Sequence, residues 1–362
     1  MSGDIMKKEE KMKKLDELVK EGMNENIFPG AVLIVGNSKK ILFKKAYGYR
    51  ALKPRKERNS VGTIYDMASL TKVVATTPAV MKLIENAKIR LYDPVHLFVD
   101  GFNTSQKQEI RIFHLLTHTS GLPPYSQAWR YSKGKELLKN VNSVETINPV
   151  GKKFVYSCLN FITLMEIVEK VTGKSFDEFT KNEIFTPLKM NSTSFVPPEK
   201  WFGKIAPTSQ RDGKMLRGSP DDELAYYLGG VSGNAGLFSN AEDVYNYAKM
   251  LINEGVFEGK RMFSKSTINT FTREAFSDGV NRRSLGWDMK TIASSSGDLM
   301  SEKAYGHTGF TGTSLWIDPA YDVIIIFFTN RTHISRWDNL EKIIRFRPRL
   351  HNYIISHLEE FA

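Results

Sequence analysis

Two side chains near residue 70 have the types and the spacing that nucleophilic catalysis requires. Ser69 and Lys72 stand three positions apart, and an almost wholly apolar stretch follows them. Residues three apart on a helix lie on nearly the same face, so we expect Lys72 beside Ser69 at the start of a buried helix. Burial and the positive end of the helix dipole both disfavour a charged amine, so we expect the pKa of Lys72 to fall. A neutral lysine would accept the serine proton and make Ser69 a nucleophile.

The Ser-x-x-Lys pattern occurs twice in the chain, and its context separates the two copies. The second copy, Ser132-Lys133-Gly134-Lys135, lies in a polar stretch where a solvated loop or a helix start is expected. Only Ser69 opens a buried helix, in which Pro78 is placed to introduce a kink. The alternative for Ser69 is a helix-capping serine followed by a surface lysine.

A tyrosine could be the second group that moves protons. Tyr156 stands just before an apolar helix predicted from Leu159 to Val171, with Gly173 as its stop. At such a helix start the phenol can face a cleft, where a nearby lysine favours its ionised form. Taken alone, a tyrosine among apolar neighbours is more often part of the core.

The segment His307-Thr308-Gly309-Phe310 precedes a predicted strand near the end of the chain. Thr308 offers a hydroxyl, and the backbone N–H of Phe310 could hold a developing oxyanion together with that of Ser69. The alternative is a simple turn at the entry to a strand.

Taken together, the three motifs follow the arrangement of penicillin-recognising serine hydrolases. The chain resembles the β-lactamase-related family, which includes class C β-lactamases, D-alanyl-D-alanine carboxypeptidases and related esterases. Three further segments carry this resemblance, which extends from Met12 to His351: His114 to Pro123, Gly229 to Ser239, and Thr329 to Arg331.

The resemblance implies a role for each candidate residue. Ser69 would be the nucleophile, Lys72 its proton partner and Tyr156 the second general acid and base. The segment from His307 to Phe310 would line the substrate and supply the oxyanion contact. The resemblance also implies a small-molecule or peptidoglycan-derived substrate and no cofactor.

Two positions depart from the pattern of class C β-lactamases. Those enzymes carry Tyr-x-Asn, whereas Tyr156-Ser157-Cys158 places a cysteine where the asparagine would be. They also carry lysine where this chain has His307. Both changes favour an esterase or a carboxypeptidase over an efficient β-lactamase. The alternatives are a penicillin-binding sensor that is acylated without turnover and a weak class C-type β-lactamase.

Strand patterns at both ends of the chain predict the fold. The runs Ala31 to Val35 and Ile41 to Tyr47 predict a hairpin, and Thr313 to Ile317 with Val323 to Thr329 predict a second one. A first helix contains Leu15 and Val19, and a last helix has Pro348 in its first turn. We therefore expect an α+β fold with one antiparallel sheet built from both termini and a mostly helical insertion.

The predicted domain limits follow from these patterns. One β-lactamase-related domain of β-lactamase/transpeptidase-like fold would span residues 12–351. Within it, residues 1–68 and 283–362 would form the sheet and its flanking helices, and residues 69–282 would form the helical region.

Composition narrows the function classes. The net charge is +11, but acidic residues alternate with the basic ones and no aromatic stacking set accompanies them, so nucleic-acid binding is not expected. One cysteine excludes an internal disulfide framework. The charged N-terminal segment lacks the apolar core of a signal peptide, and no apolar run has the length of a membrane span. We expect a cytoplasmic protein; its oligomeric state is left open.

Two other motifs were weighed as ligand sites. His114 and His118 have a spacing that can bind a metal, but no third ligand accompanies them, so structural histidines are expected. Gly173-Lys174-Ser175 follows a helix rather than a strand and is interpreted as a helix stop rather than a phosphate loop.

Overall fold

The computed structural model of the chain describes residues 2–361, with side chains from residue 9 onward. Its α-helices are α1 (Ser2–Asn24), α2 (Thr77–Glu85), α3 (Ile112–Leu116), α4 (Gly134–Asn142), α5 (Cys158–Thr172), α6 (Phe176–Thr180), α7 (Glu223–Tyr227), α8 (Ala241–Ile252), α9 (Lys265–Thr272) and α10 (Leu340–Ser356). Its longer strands are β1 (Gly30–Gly36), β2 (Ile41–Ala51), β14 (Tyr305–Thr308), β15 (Ser314–Asp318) and β16 (Val323–Thr329). Its short strands are β3 (Glu57–Arg58), β4 (Tyr65–Asp66), β5 (Ser194–Phe195), β6 (Gln210–Arg211), β7 (Lys214–Met215), β8 (Leu237–Ser239), β9 (Val256–Phe257), β10 (Lys260–Arg261), β11 (Phe276–Ser277), β12 (Arg282–Arg283) and β13 (Asp288–Met289).

One nine-stranded sheet joins the two ends of the chain. Its order is β11-β12-β13-β14-β15-β16-β1-β2-β3. The first strand pairs with the last in an antiparallel register that places Ala31 opposite Thr329. The hairpins β1–β2 and β15–β16 flank this pairing. The predicted antiparallel sheet built from both termini is confirmed.

The sheet is covered on both faces, which explains the continuous apolar run of β16. Val323, Ile325 and Phe327 belong to a core that contains the buried faces of α1 and α10. Ile324, Ile326 and Phe328 point the other way, into the larger core that contains the apolar residues of α5 and α8. Side chains alternate between the two faces of a strand, so every position of β16 is buried. The α+β class is confirmed.

The last helix begins earlier than predicted. α10 starts at Leu340, so Pro348 lies inside the helix rather than in its first turn. A proline within a helix removes one backbone hydrogen bond and costs about 3 kcal/mol. Ile343, Phe346 and Leu350 are fully or almost fully buried against the sheet, and this burial outweighs the cost. The helix therefore continues through the proline.

The region between the two halves of the sheet is mostly helical but also contains short strands. A three-stranded sheet of order β4-β8-β5 lies there, and β11 already belongs to the large sheet. The predicted limits 1–68 with 283–362 and 69–282 remain a prediction, and their outermost residues, 1 and 362, lie outside the described residues. Between residues 2 and 361, no helix is both long and apolar enough to cross a membrane.

Candidate active site

Ser69 sits on a tight turn between β4 and the helix that leads into α2. The residue before it, Ala68, has a φ of +44°, a left-handed conformation that is uncommon for a residue other than glycine. The buried carboxylate of Asp66 accepts a hydrogen bond of 2.9 Å from the Ala68 N–H. A second oxygen of the same carboxylate accepts one of 2.8 Å from the Asp221 N–H. Asp66 thus stabilises the turn that presents Ser69.

The β14–β15 connection is fastened to this turn. The Thr311 hydroxyl donates to the Asp66 carbonyl at 2.7 Å, and the Thr313 hydroxyl donates to the Met67 carbonyl at 3.1 Å. Gly309 packs so closely that a Cβ atom there would lie 2.5 Å from the Met67 carbonyl oxygen. The segment His307–Phe310 is therefore held beside Ser69.

Lys72 lies beside Ser69, but the direction of its pKa shift differs from the prediction. Its side chain is fully buried, and Nζ lies 3.0 Å from Ser69 Oγ. Nζ also donates to the Asn234 carbonyl at 3.0 Å and lies 3.6 Å from Cys158 Sγ. Three acceptors surround the three protons of an ammonium group.

The predicted fall of the Lys72 pKa is wrong. Burial disfavours the charged amine, but negative charge on Cys158 and Tyr156 favours it, and the pKa of Lys72 lies above its ordinary value. The expectation omitted the Asn234 carbonyl and the cysteine, which come from distant segments. The pKa of Lys72 is therefore raised rather than lowered.

The helix widens at Lys72. Residues Lys72–Thr76 form a π-helical turn, in which the Thr77 N–H donates to the Lys72 carbonyl. The Thr77 hydroxyl also donates to the Lys72 carbonyl, at 2.9 Å. Pro78 follows directly and has no N–H to donate to a carbonyl of the preceding turn. The predicted disturbance of the helix at Pro78 takes this form.

Tyr156 stacks in a group of rings next to Lys72. The ring centroid of Tyr156 lies 5.0 Å from Lys72 Nζ and 4.5 Å from that of His118. His118 is buried, and its Nδ1 accepts a 3.0 Å hydrogen bond from the Ser157 N–H. Burial, with the nearby charges of Arg283 and Lys72, holds the pKa of His118 well below its usual range. His118 is thus a neutral support for the segment that carries Tyr156.

The two histidines weighed as metal ligands have structural partners. His114 Nδ1 accepts a hydrogen bond from the Arg111 N–H at 3.1 Å. Among residues whose side chains are described, no cluster of three or more His, Cys, Asp or Glu could hold a metal ion.

Two other motifs of the sequence have structural roles. Gly173 ends α5 in a left-handed conformation with a φ of +67°, as the helix-stop interpretation expects. In the second Ser-x-x-Lys copy, the Ser132 hydroxyl donates to the Ala128 carbonyl just before α4.

His307 is neutral in this site. Burial, followed by the charges of Lys72 and Arg283, lowers its pKa to about 3. Its Nδ1 donates to the Thr308 carbonyl at 2.8 Å, which fixes the ring. The position thus offers no cation at neutral pH, in contrast to a lysine.

Two backbone N–H groups are available for an oxyanion. Within residues 2–361, neither the Ser69 nor the Phe310 N–H donates to a backbone or side-chain acceptor. Both residues line one cleft of about 760 Å³, together with Tyr156, Cys158, His307 and Thr308. Unengaged N–H groups beside a nucleophile are suited to bind a developing negative charge.

Several residues of the cleft were not predicted. Tyr125, Asp222 and Glu223 form a hydrogen-bonded group in which the tyrosine hydroxyl donates at 3.2 Å to each carboxylate. Arginines line the cleft as well: Arg130, Arg283, Arg331, Arg336 and Arg347. One of these positions had a signal in the sequence, since Arg331 lies in a segment that carries the resemblance. The others carry no local pattern.

Comparisons with known proteins identify the family. The sequence profile of the Beta-lactamase family matches residues 15–345. An N-acetylmuramyl-L-alanine amidase of Bacillus subtilis (strain 168) is 34% identical over 89% of this chain and 81% of its own length. An Escherichia coli (strain K12) protein, named as a proposed D-alanyl-D-alanine carboxypeptidase, is 31% identical over 90% of this chain and 83% of its own.

A solved structure agrees in fold. The octameric penicillin-binding protein homologue from Pyrococcus abyssi superposes with a TM-score of 0.75 at 23% identity, over 96% of this chain and 77% of its own. The fold is therefore of the β-lactamase/transpeptidase type. The chain belongs to the Beta-lactamase family and is a serine hydrolase.

Proposed function

We propose that this Beta-lactamase-family serine hydrolase cleaves an amide or ester bond through an acyl-enzyme on Ser69, with peptidoglycan-derived peptides ending in D-amino acids as its favoured substrates. The observation that carries the proposal is the contact of 3.0 Å between Ser69 Oγ and Lys72 Nζ beside two unengaged N–H groups. A nucleophile, its charged partner and an oxyanion site are the parts that acyl transfer requires.

In the proposed mechanism, Tyr156 transfers the proton of the Ser69 hydroxyl to the leaving group. In this mechanism Lys72 is the ammonium group that donates to Ser69 Oγ, and Tyr156 is the phenolate that receives the serine proton. When Ser69 Oγ bonds to the substrate carbonyl carbon, its proton moves to Tyr156, and the N–H groups of Ser69 and Phe310 hold the oxyanion. Tyr156 then gives the proton to the departing amine or alcohol. Water repeats the sequence on the acyl-enzyme and restores the Ser69 hydroxyl.

The charges of the cleft support a substrate that ends in a carboxylate. Arg283 lines the cleft near His307, since its charge contributes to the lowered pKa of that histidine. Its one acidic partner among the described residues, Asp288, lies 3.5 Å away. The neutral His307 provides no positive charge of its own. The two relatives described above are named for an N-acetylmuramyl-L-alanine amidase and a D-alanyl-D-alanine carboxypeptidase activity, which supports the same substrate class.

The test compares one peptide in two forms. The purified protein is incubated with a diacetylated L-lysyl-D-alanyl-D-alanine peptide and with its C-terminal amide, while release of D-alanine or D-alaninamide is measured. We expect faster cleavage of the carboxylate form, and no cleavage by the Ser69→Ala variant. Turnover of p-nitrophenyl butyrate with neither peptide cleaved would contradict the peptide assignment and leave an esterase.

A further inference from the structure

Two arginines at one end of the cleft form no ion pair with the described residues. Arg331, just after β16, is fully buried, and Arg347 on α10 is 4% exposed. Among the described residues, neither forms an ion pair with a carboxylate, whereas Arg336 in the same cleft pairs with Glu223 at 2.7 Å. Nε and Nη2 of Arg331 and Nε of Arg347 are buried there without any hydrogen-bond acceptor.

Burying these two charges without an ion pair costs free energy of folding. A buried ionised group is ordinarily paired, and a buried N–H without an acceptor loses its hydration without compensation. Burial, followed by the charge of Arg331, lowers the pKa of Arg347 to about 9. Burial lowers the pKa of Arg331 to about 10, although the charge of Asp221 acts in the opposite direction.

Part of each arginine has a structural partner. Nη2 of Arg347 donates to the carbonyls of Gly309 and Thr313 at 3.2 and 3.0 Å. The Arg331 guanidinium lies over the Phe310 ring at 4.4 Å, and its Nη1 donates to Asn339 Oδ1 at 2.8 Å. These contacts use only some of the guanidinium N–H groups. Nε and Nη2 of Arg331 and Nε of Arg347 remain without an acceptor among the described residues.

The walls around the two arginines are apolar. Trp337 is 65% exposed, Ile344 is 53% exposed, and both line the cleft with Leu340 and the Phe310 ring. Exposed large apolar side chains beside a cleft are suited to bind an apolar group. The surroundings thus combine a hydrophobic wall with two buried positive charges that form no ion pair among the described residues.

We propose that Arg331 and Arg347, with Trp337 and Ile344, form a binding subsite for a carboxylate carried on an apolar skeleton. The planar guanidinium groups present their free N–H donors to the two carboxylate oxygens, which pairs the two buried charges. The apolar part of the ligand covers Trp337 and Ile344. The carboxylate belongs either to a substrate seated in the cleft, an option that rests on the proposed function, or to a separate organic acid.

The test uses 3-phenylpropionate, with 3-phenylpropionamide as the uncharged control of the same shape. Binding is measured by calorimetry and by the rise in Tm, because a ligand that binds only the folded state stabilises it. We expect the acid to bind and raise Tm in a saturable way, and the amide to bind at least about 10-fold more weakly, since a hydrogen bond to a charged group is worth about that factor.

Variants assign the binding to the two arginines. Arg331→Gln and Arg347→Gln are each expected to weaken binding of the acid about 10-fold or more. Arg345→Gln, an exposed position of α10, removes the same charge and is expected to keep the wild-type affinity. Equal binding of acid and amide to the wild-type protein would overturn the proposal, a result that does not depend on any variant folding.

Steady-state kinetics in the presence of the acid distinguish the two sources of the carboxylate. They also distinguish failure of the proposed subsite from failure of the proposed function. Competition by 3-phenylpropionate against p-nitrophenyl butyrate, with KM raised and kcat unchanged, would support a substrate subsite. A change in kcat at saturating ester would support a separate organic acid. Turnover at Ser69 without binding of the acid would overturn the subsite alone, and binding without any turnover would overturn the proposed function alone.

Discussion

At the scale of single residues, the proposed mechanism depends on which group takes the serine proton. In that proposal Lys72 is an ammonium group surrounded by Ser69 Oγ, Asn234 O and Cys158 Sγ, and it has no free electron pair with which to act as a base. The proposed proton transfer then depends on the oxygen of Tyr156. Lys72 would position Ser69 and stabilise negative charge on its neighbours.

Replacing Tyr156 tests this division of labour. Tyr156→Phe keeps the ring against His118 but removes the oxygen, so kcat/KM for an ester substrate is expected to fall by about 10² to 10⁴. Because the packing is retained, Tm is expected to stay near the wild-type value. Tyr131→Phe, a position that is 74% exposed, serves as the matched control. Near-normal turnover by Tyr156→Phe would assign the base role to Lys72 instead.

Cys158 limits reaction with penicillins in this account. It lies where class C relatives carry an asparagine, and its Sγ points at Lys72 Nζ. Cys158→Asn would add an amide that can hydrogen-bond to the acyl side chain of a penicillin, so we expect acylation by penicillin to become about 5- to 10-fold faster, the effect of one hydrogen bond. Stopped-flow acylation rates measure this. An unchanged rate, with Cys158→Ser as the reference, would mean that the thiol is not the limiting feature.

At the scale of elements, the fastening of the β14–β15 connection to the Ser69 turn creates the site. A Cβ on Gly309 would lie 2.5 Å from the Met67 carbonyl oxygen and 2.1 Å from Thr313 Oγ1. Gly309→Ala is therefore expected to push the Phe310 N–H away from Ser69. Loss of one oxyanion donor lowers kcat by about 10² to 10³.

Steady-state kinetics and circular dichroism check the Gly309→Ala prediction. The secondary structure is expected to be retained, because the displacement is confined to one connection. Gly203→Ala is the control, since no atom lies within 4 Å of its added Cβ, and its kcat is expected to stay at the wild-type value. A Gly309→Ala enzyme with unchanged kcat would show that the close packing does not position the oxyanion donor.

Some elements were predictable and others were not. The strands β1, β2, β15 and β16 follow from their apolar runs and turns, and Gly173 ends α5 as expected. The start of α10 was missed because proline is favoured in the first turn of a helix, while the packing that extends the helix before Pro348 comes from the distant sheet. The π-helical turn at Lys72 has only Pro78 as a signal. The hydrogen bond from the Thr77 hydroxyl to the Lys72 carbonyl, which accompanies this turn, cannot be predicted from the spacing of apolar residues.

At the scale of the whole molecule, α10 docks a buried histidine against the body of the protein. His351 is fully buried, and its Nδ1 lies 2.7 Å from the Ser295 carbonyl oxygen. Burial lowers its pKa to about 4, in spite of that hydrogen bond. The folded protein therefore holds this histidine neutral where the unfolded chain, with an ordinary pKa near 6.5, would bind a proton.

The sign of the resulting pH effect follows from proton linkage. The stabilisation from a neutral His351 is fully present above about pH 6.5 and is lost as the pH falls towards 4, which amounts to about 3 kcal/mol. Urea unfolding at several pH values measures it in the wild type and in His351→Gln. The wild type is expected to lose about that much more stability than the variant over this range, while other groups cancel in the comparison. Equal losses would show that His351 is not held neutral.

The assembled cleft lies beyond what local patterns predict. Ser69, Lys72, Tyr156 and the segment His307–Phe310 were found because each motif has a recognisable spacing. Asp222, Arg283 and Arg347 come from parts of the chain that meet only after folding, and isolated charged residues carry no periodic signal. The direction of the Lys72 pKa shift was mispredicted for the same reason, since its acceptors Asn234 and Cys158 lie far along the chain.

The most direct test of the central claim is intact-protein mass spectrometry during reaction with p-nitrophenyl butyrate and, separately, with a penicillin. The account predicts a transient mass increase of one acyl group, mapped to Ser69 by peptide digestion and absent from Ser69→Ala. Tyr156→Phe is expected to reach that state more slowly. Full turnover with no acyl adduct at any time, or an adduct on a residue other than Ser69, would contradict the account.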